Sequence, residues 1–180
     1  MQSKLFHFSE SNNIEEFVPR PVQTPSKRPD GLEWLNGPLV WAIDSWHQPM
    51  YLFPRDCPRI LLWRTDQTSA IDEERYFAKS EARMIAYVEN KWLSRVKSAV
   101  LYRYELPRSS FNELHDAGMW VSEKAVIPTS QEKIINMAEK LEQENVELRA
   151  FDSLTPLKAA WKTSLHVSGI RLHNAVDWTD

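Results

Sequence analysis

Cysteine, glycine and any excess of one charge are what this sequence has least of. The 180 residues include one cysteine, Cys57, which excludes an internal disulfide and a four-cysteine zinc site. Four glycines leave little for a Gly-rich phosphate cradle, whose loop needs backbone positions free of a Cβ. No run approaches the ~18 consecutive apolar residues of a membrane helix, so no membrane partner is expected. The opening MQSKLFHFSESNNIEEFVPR lacks an apolar core and a small-residue cleavage site. A secretory leader is therefore not expected, and the cytoplasm is the expected compartment. Lys and Arg number 22 against 25 Asp and Glu, a net charge of −3, so the broad basic face of a duplex-DNA binder is missing. G-x-S-x-G, H-E-x-x-H, Walker and dinucleotide fingerprints are all absent.

What is present is ordinary globular composition, 42% hydrophobic and 26% charged, with eleven prolines and eight tryptophans. The length implies a single domain over 1–180. Prolines at 19, 21, 25, 29 and 38 make 17–38 a long loop, because few of these residues fit a helix interior or a central strand. Strands are expected at 4–8, 39–43, 59–64 and 99–106, with short pieces at 120–122 and 125–127 and another at 148–151. Met84, Tyr87, Val88, Trp92 and Val96 recur at three- and four-residue spacing, predicting a helix over 72–98. Further helices are expected at 46–53, stopped by Pro54, at 131–145 capped by Ser130, and at 155–165 with Pro156 in its first turn. The fold class is α+β, a twisted antiparallel or mixed sheet with flanking helices.

Several residues carry chemistry-bearing patterns. His7, beside Ser9 and Glu10, either donates to a ligand hydroxyl or is a half-buried strand histidine satisfied by a backbone carbonyl. In Tyr51-Leu-Phe-Pro-Arg-Asp-Cys-Pro-Arg59, two prolines stiffen the chain around Arg55 and Arg59. These are guanidinium forks for phosphate or carboxylate, or anchors of their own loop. Cys57 has no base beside it in sequence and reads as a small buried hydrophobe. Asp44 and His47 stand three apart, but no third metal ligand follows at a recognisable spacing. Glu123 sits at a strand break, as a solvated turn residue or as a carboxylate for a ribose hydroxyl or a developing positive charge. Trp46 and Tyr51 are the aromatics best placed to stack on a base.

Phe6-His7-Phe8-Ser9-Glu10, Val40-Trp41-Ala42-Ile43-Asp44, the Tyr51–Arg59 segment and Leu101-Tyr-Arg-Tyr-Glu-Leu106 resemble a family of small, uncharacterised bacterial proteins known only as a domain of unknown function. The likeness runs to Ser168-Gly-Ile-Arg-Leu-His-Asn-Ala175. The order of a strand histidine, an apolar strand with a polar turn, and a late glutamate near Val-Ile-Pro is similar to the ADP-ribosyltransferase-like fold. That resemblance implies NAD as cofactor, with His7 on its ribose and Ser9 nearby. Tyr51 or Ser45 takes the second motif position, and Glu123 steadies an oxocarbenium-like centre from a strand adjacent to that of His7. The implied acceptor is a nucleic acid or a protein. Many such transferases read E-x-E before the apolar residues, and Ala125 stands at the second position here. Ala125 favours the alternative of a non-catalytic nucleotide- or phosphate-binding module using Arg55, Arg59 and Arg171. A partner-interaction protein with an exposed tryptophan patch is the third reading.

Overall fold

The computed structural model describes residues 3–22, 25 and 27–179, so positions 23, 24 and 26 of the proline-rich loop lie outside the described residues. Ten strands are present: β1 (Leu5–Ser9), β2 (Val40–Asp44), β3 (Arg59–Trp63), β4 (Met84–Glu89), β5 (Leu101–Leu106), β6 (Asn112–Glu113), β7 (Met119–Ser122), β8 (Ser130–Ile134), β9 (Val146–Phe151) and β10 (His166–Ile170). Three α-helices are short: α1 (Ala70–Tyr76), α2 (Leu93–Ser98) and α3 (Met137–Gln143). The fold is α+β, with two sheets. The six-stranded sheet has the order β6-β7-β2-β1-β5-β8, and the four-stranded sheet the order β10-β3-β4-β9. The chain divides into two compact units, one of 1–48 with 102–133 and one of 49–101 with 134–180.

In the first unit, β1 lies between β2 and β5 and pairs antiparallel with both, and β7 pairs antiparallel with β2. One face buries Leu5, Val40, Ala42, Tyr104, Leu106 and Trp120, and Phe17, Phe111 and Val126 cover it. The alternation read from sequence accounts for this face, since Leu5 lies on the opposite side of its strand from Phe6, and Tyr104 and Leu106 share a side. The described part of the 17–38 loop is tied down by antiparallel bridges, Phe17 to Val126 and Arg20 to Leu39, and contains a 3-10 turn at Glu33–Asn36.

The second unit is built around β3 and β4, in which every residue is buried. The sheet is mixed: β4 runs antiparallel to β3 and parallel to β9. Strands covered on both faces lose alternation and become continuous apolar runs. That corrects the helix expected over 72–98. Only Ala70–Tyr76 and Leu93–Ser98 are helical, and Met84–Glu89 between them is a central strand. A six-residue apolar run satisfies helical spacing by chance, because nearly every position in it is apolar. The helix expected at 131–145 is likewise divided. Ser130–Ile134 forms the edge strand β8, with its polar side chains in water, and α3 begins only at Met137. The 46–53 and 155–165 segments are 3-10 helices, at Gln48–Tyr51 and Thr155–Lys162. No helix among the described residues is long and apolar enough to cross a membrane.

Candidate functional site

The most developed polar constellation lies where β2 ends. Alternation along β2 puts Asp44 on the same face as Val40 and Ala42. As the chain leaves the sheet, the Asp44 carboxylate accepts the backbone N–H of His47 at 2.7 Å. It also accepts the imidazole, whose Nδ1 lies 2.9 and 3.0 Å from the two oxygens. A carboxylate of this kind is an acceptor only, so Nδ1 carries the proton and Nε2 carries the lone pair of the neutral ring. Side-chain exposures of 16% for Asp44 and 20% for His47 leave the pair shielded but reachable. Burial pushes the Asp44 pKa up, but the hydrogen bonds from the His47 side chain and backbone and the His47 charge outweigh it, holding the carboxyl below its ordinary value.

The pair exists because Gly118 is a glycine. The Asp44 N–H donates to the Gly118 carbonyl at 2.9 Å. A Cβ at Gly118 would come within 2.2 Å of His47 Nδ1 and 2.7 Å of the Asp44 carboxylate. Its φ of +70° is also one that side chains disfavour. His115 and Ala117, at φ 53° and 44°, carry the same left-handed strain in this turn. Strain of this sort costs on the order of 1–3 kcal/mol per residue and persists only where surrounding structure holds it. The Trp46 ring, 42% exposed as a residue, lies 4.5 Å from the imidazole.

Of the site residues expected from sequence, Ser45 adjoins Asp44 and the others lie elsewhere. His7 is half-buried, and its Nδ1 donates to the Trp41 carbonyl at 2.8 Å, the backbone-satisfied arrangement. Phe17 packs against its ring at 4.7 Å. Ser9 accepts the Ser11 N–H at 3.1 Å, and the Ser45 hydroxyl meets that of Ser3 at 2.9 Å. Glu123 is exposed just past β7. It shares an end of the sheet with Ser9, but β2 lies between β1 and β7. That corrects the expectation of adjacent strands: the β2 backbone pairs antiparallel with β1 on one side and β7 on the other and so separates them. Ser45 is at the opposite end.

Tyr51, Arg55 and Arg59 belong to the second unit. Arg55 is exposed. Arg59 is 3% exposed, and its guanidinium turns inward to the carbonyls of Met50 at 2.8 Å and Cys57 at 3.0 Å, anchoring its loop. Its carbon lies 5.7 Å from the Tyr51 ring centre. Burial pushes the Cys57 thiol up to about 12, leaving it protonated and unreactive at neutral pH. Arg171 begins a 3-10 turn after β10, at φ 57°. Among the described residues, no three His, Cys, Asp or Glu side chains are grouped to hold a metal ion. A shallow groove of about 350 Å³ beside Asn12, Asn13 and Gln131 has Tyr104 in its lining. The Tyr104 hydroxyl is already engaged there by Ser11, Ile14 and Gln131.

Asp44 and His47 were visible in sequence as a spaced pair. The missing signal was Gly118, whose role depends on a strand pairing remote in sequence. No curated protein and no solved structure matches the chain, and the likeness to ADP-ribosyltransferases finds no support in these comparisons. The profile of one family, described as a family of unknown function (DUF6886), matches residues 6–175. With nearly its whole length matched, the chain belongs to that family, DUF6886.

Proposed function

We propose that this protein is an enzyme acting on a nucleotide at the Asp44 end of the six-stranded sheet, with His47 moving the proton. The observation that carries this reading is the 2.9 and 3.0 Å approach of His47 Nδ1 to the Asp44 carboxylate. A carboxylate on Nδ1 holds the imidazole in one tautomer, makes Nε2 the accepting nitrogen and stabilises the imidazolium that forms. His47 then takes a proton from water as its oxygen attacks a phosphorus atom of the nucleotide; the P–O bond to the leaving group breaks, and the imidazolium returns the proton to the departing oxygen. Asp44 is the positioning residue. Trp46 supplies a face for the base, a stacking contact worth about 1–3 kcal/mol. NAD, implied by the transferase-like resemblance, is the first nucleotide to test.

The test is chromatographic assay of the full chain with NAD and with nucleoside mono- and diphosphates. The expected result is turnover that falls about 10²–10⁴-fold in His47→Ala, the usual contribution of a general base. Asp44→Asn loses less, and His7→Ala, in the middle of β1 with its ring bound to the Trp41 carbonyl, keeps its rate. Turnover abolished in His7→Ala and retained in His47→Ala would move the chemistry to the Ser9 and Glu123 end. No turnover of any nucleotide would sink the proposal.

A further inference from the structure

We infer that Arg108 is the phosphate-binding group of this site, an inference that rests on the nucleotide reading above. Arg108 follows β5, where Pro107 stops the strand, and it is half-buried. Its guanidinium carbon lies 3.9 Å from the centre of the Trp120 ring, and Nη1 donates to the Ser3 carbonyl at 3.2 Å. Stacking on an aromatic face with one hydrogen bond fixes the planar fork while leaving most of its five N–H donors for another acceptor.

Four other arginines are each matched by a carboxylate. Arg64 pairs with Glu73, Arg83 with Glu144, Arg103 with Glu132 and Arg149 with Glu147. Arg108 pairs with no carboxylate among the described residues. Arg28 and Arg171 are also half-buried without a carboxylate among the described residues, but Arg28 lies over the Trp41 ring with a hydrogen bond to Asn36, and Arg171 belongs to the second unit. Arg59 lacks one too, but at 3% exposure it is closed to any ligand. A half-buried cation without a counter-charge is costly unless something anionic completes it.

Location ties Arg108 to the proposed chemistry. Leu5 faces Asp44 across β2 and Leu106 across β5, so Asp44 and Leu106 share one row of the sheet. Arg108 is two residues beyond Leu106. The β2 and β5 backbones are about 10 Å apart, two strand spacings. The guanidinium reaches back over Trp120, which pairs with Ala42 on the face that also carries Asp44. Ser3 links the two sides, since its carbonyl accepts from Arg108 and its hydroxyl meets Ser45 beside Asp44. The Trp120 indole N–H is buried without an acceptor, so the ring contributes its face here and not its donor.

Inorganic phosphate, AMP and adenosine titrated calorimetrically into the full chain test this. Saturable phosphate binding is expected, with AMP binding at least tenfold tighter than adenosine. Arg108→Gln should weaken phosphate and AMP by tenfold or more. Arg108→Lys should recover only part, because a point charge replaces a fork. Circular dichroism verifies that each variant is folded. Absence of phosphate binding by the parent, or equal affinity in folded Arg108→Gln, overturns the inference about Arg108 even if His47-dependent turnover is found. Phosphate binding that needs Arg108, together with turnover indifferent to His47, leaves the inference standing and removes the general-base reading instead.

Discussion

The two sheets use their polar residues in opposite ways. In the four-stranded sheet of the second unit, polar groups close onto the chain itself. Arg59 binds loop carbonyls. Glu89, 0% exposed, accepts the Val176 N–H at 2.6 Å, and Lys91 Nζ lies 3.0 Å from its other oxygen, off hydrogen-bond alignment. Arg149 is held by Glu147 and by the Tyr76 carbonyl. In the six-stranded sheet of the first unit, Asp44, His47 and Arg108 gather at one end, shielded but reachable. One unit is a packed scaffold in which Arg59, Glu89 and Arg149 bind the chain itself. The other combines a core with a polar edge whose Asp44, His47 and Arg108 stay within reach of a ligand.

Substitutions can break that contrast, beginning with the largest effect. Ile85→Ala empties a site 0% exposed in the second unit. It should cost about 2–5 kcal/mol in denaturant unfolding, by lost burial and an unfilled cavity. At 25 °C it should leave phosphate affinity unchanged if the fold persists. Gly118→Ala comes next, costing about 1–3 kcal/mol from backbone strain and the clash with the pair. Turnover should fall with it. Gly31→Ala is the matched comparison, because it shares a positive φ of +85° but has nothing within 4 Å of its Cβ. It should cost about 1–2 kcal/mol and leave turnover intact. Equal turnover in the two variants would break the link between Gly118 and the site.

Acid should sharpen the comparison further. The Asp44 carboxyl titrates below its ordinary value in the folded chain. Its contribution is therefore present above the unfolded pKa of about 3.9 and lost as the pH falls through the lower folded value. Thermal melts between pH 5 and pH 2.5 should show a steeper loss of Tm in the parent than in Asp44→Asn. Identical slopes would mean that the His47 contacts do not stabilise the charged form. The smallest effect is expected for Lys4→Ala, whose ion pair with Glu105 is exposed on its lysine side at 62%. A change within about 0.5 kcal/mol is expected, reduced further by salt.

Strand positions with alternating sides were legible in sequence. β1, β2, β3 and β5 lie within a residue or two of their expected places, because alternation and flanking prolines are local signals. β4 reads as helix in sequence because burial on both faces erases its period, and β8 because pairing with β5 overrides a helix-favouring Ser-Gln-Glu-Lys start. The division into two sheets was not legible at all. Every one of these depends on contacts between segments far apart in the chain. The same is true of the site. Asp44 and His47 were readable as a pair, whereas Gly118 beneath them and Trp120 under Arg108 are joined to them only by the β2–β7 pairing.

The central claim is that Asp44 holds His47 as an Nδ1-protonated base. Long-range ¹H–¹⁵N correlation of the ring nitrogens, at a pH where His47 is neutral, tests it without knowledge of any substrate. The account predicts the Nδ1–H tautomer in the parent and its loss of preference in Asp44→Asn. An Nε2–H tautomer in the parent, unchanged in Asp44→Asn, would contradict it.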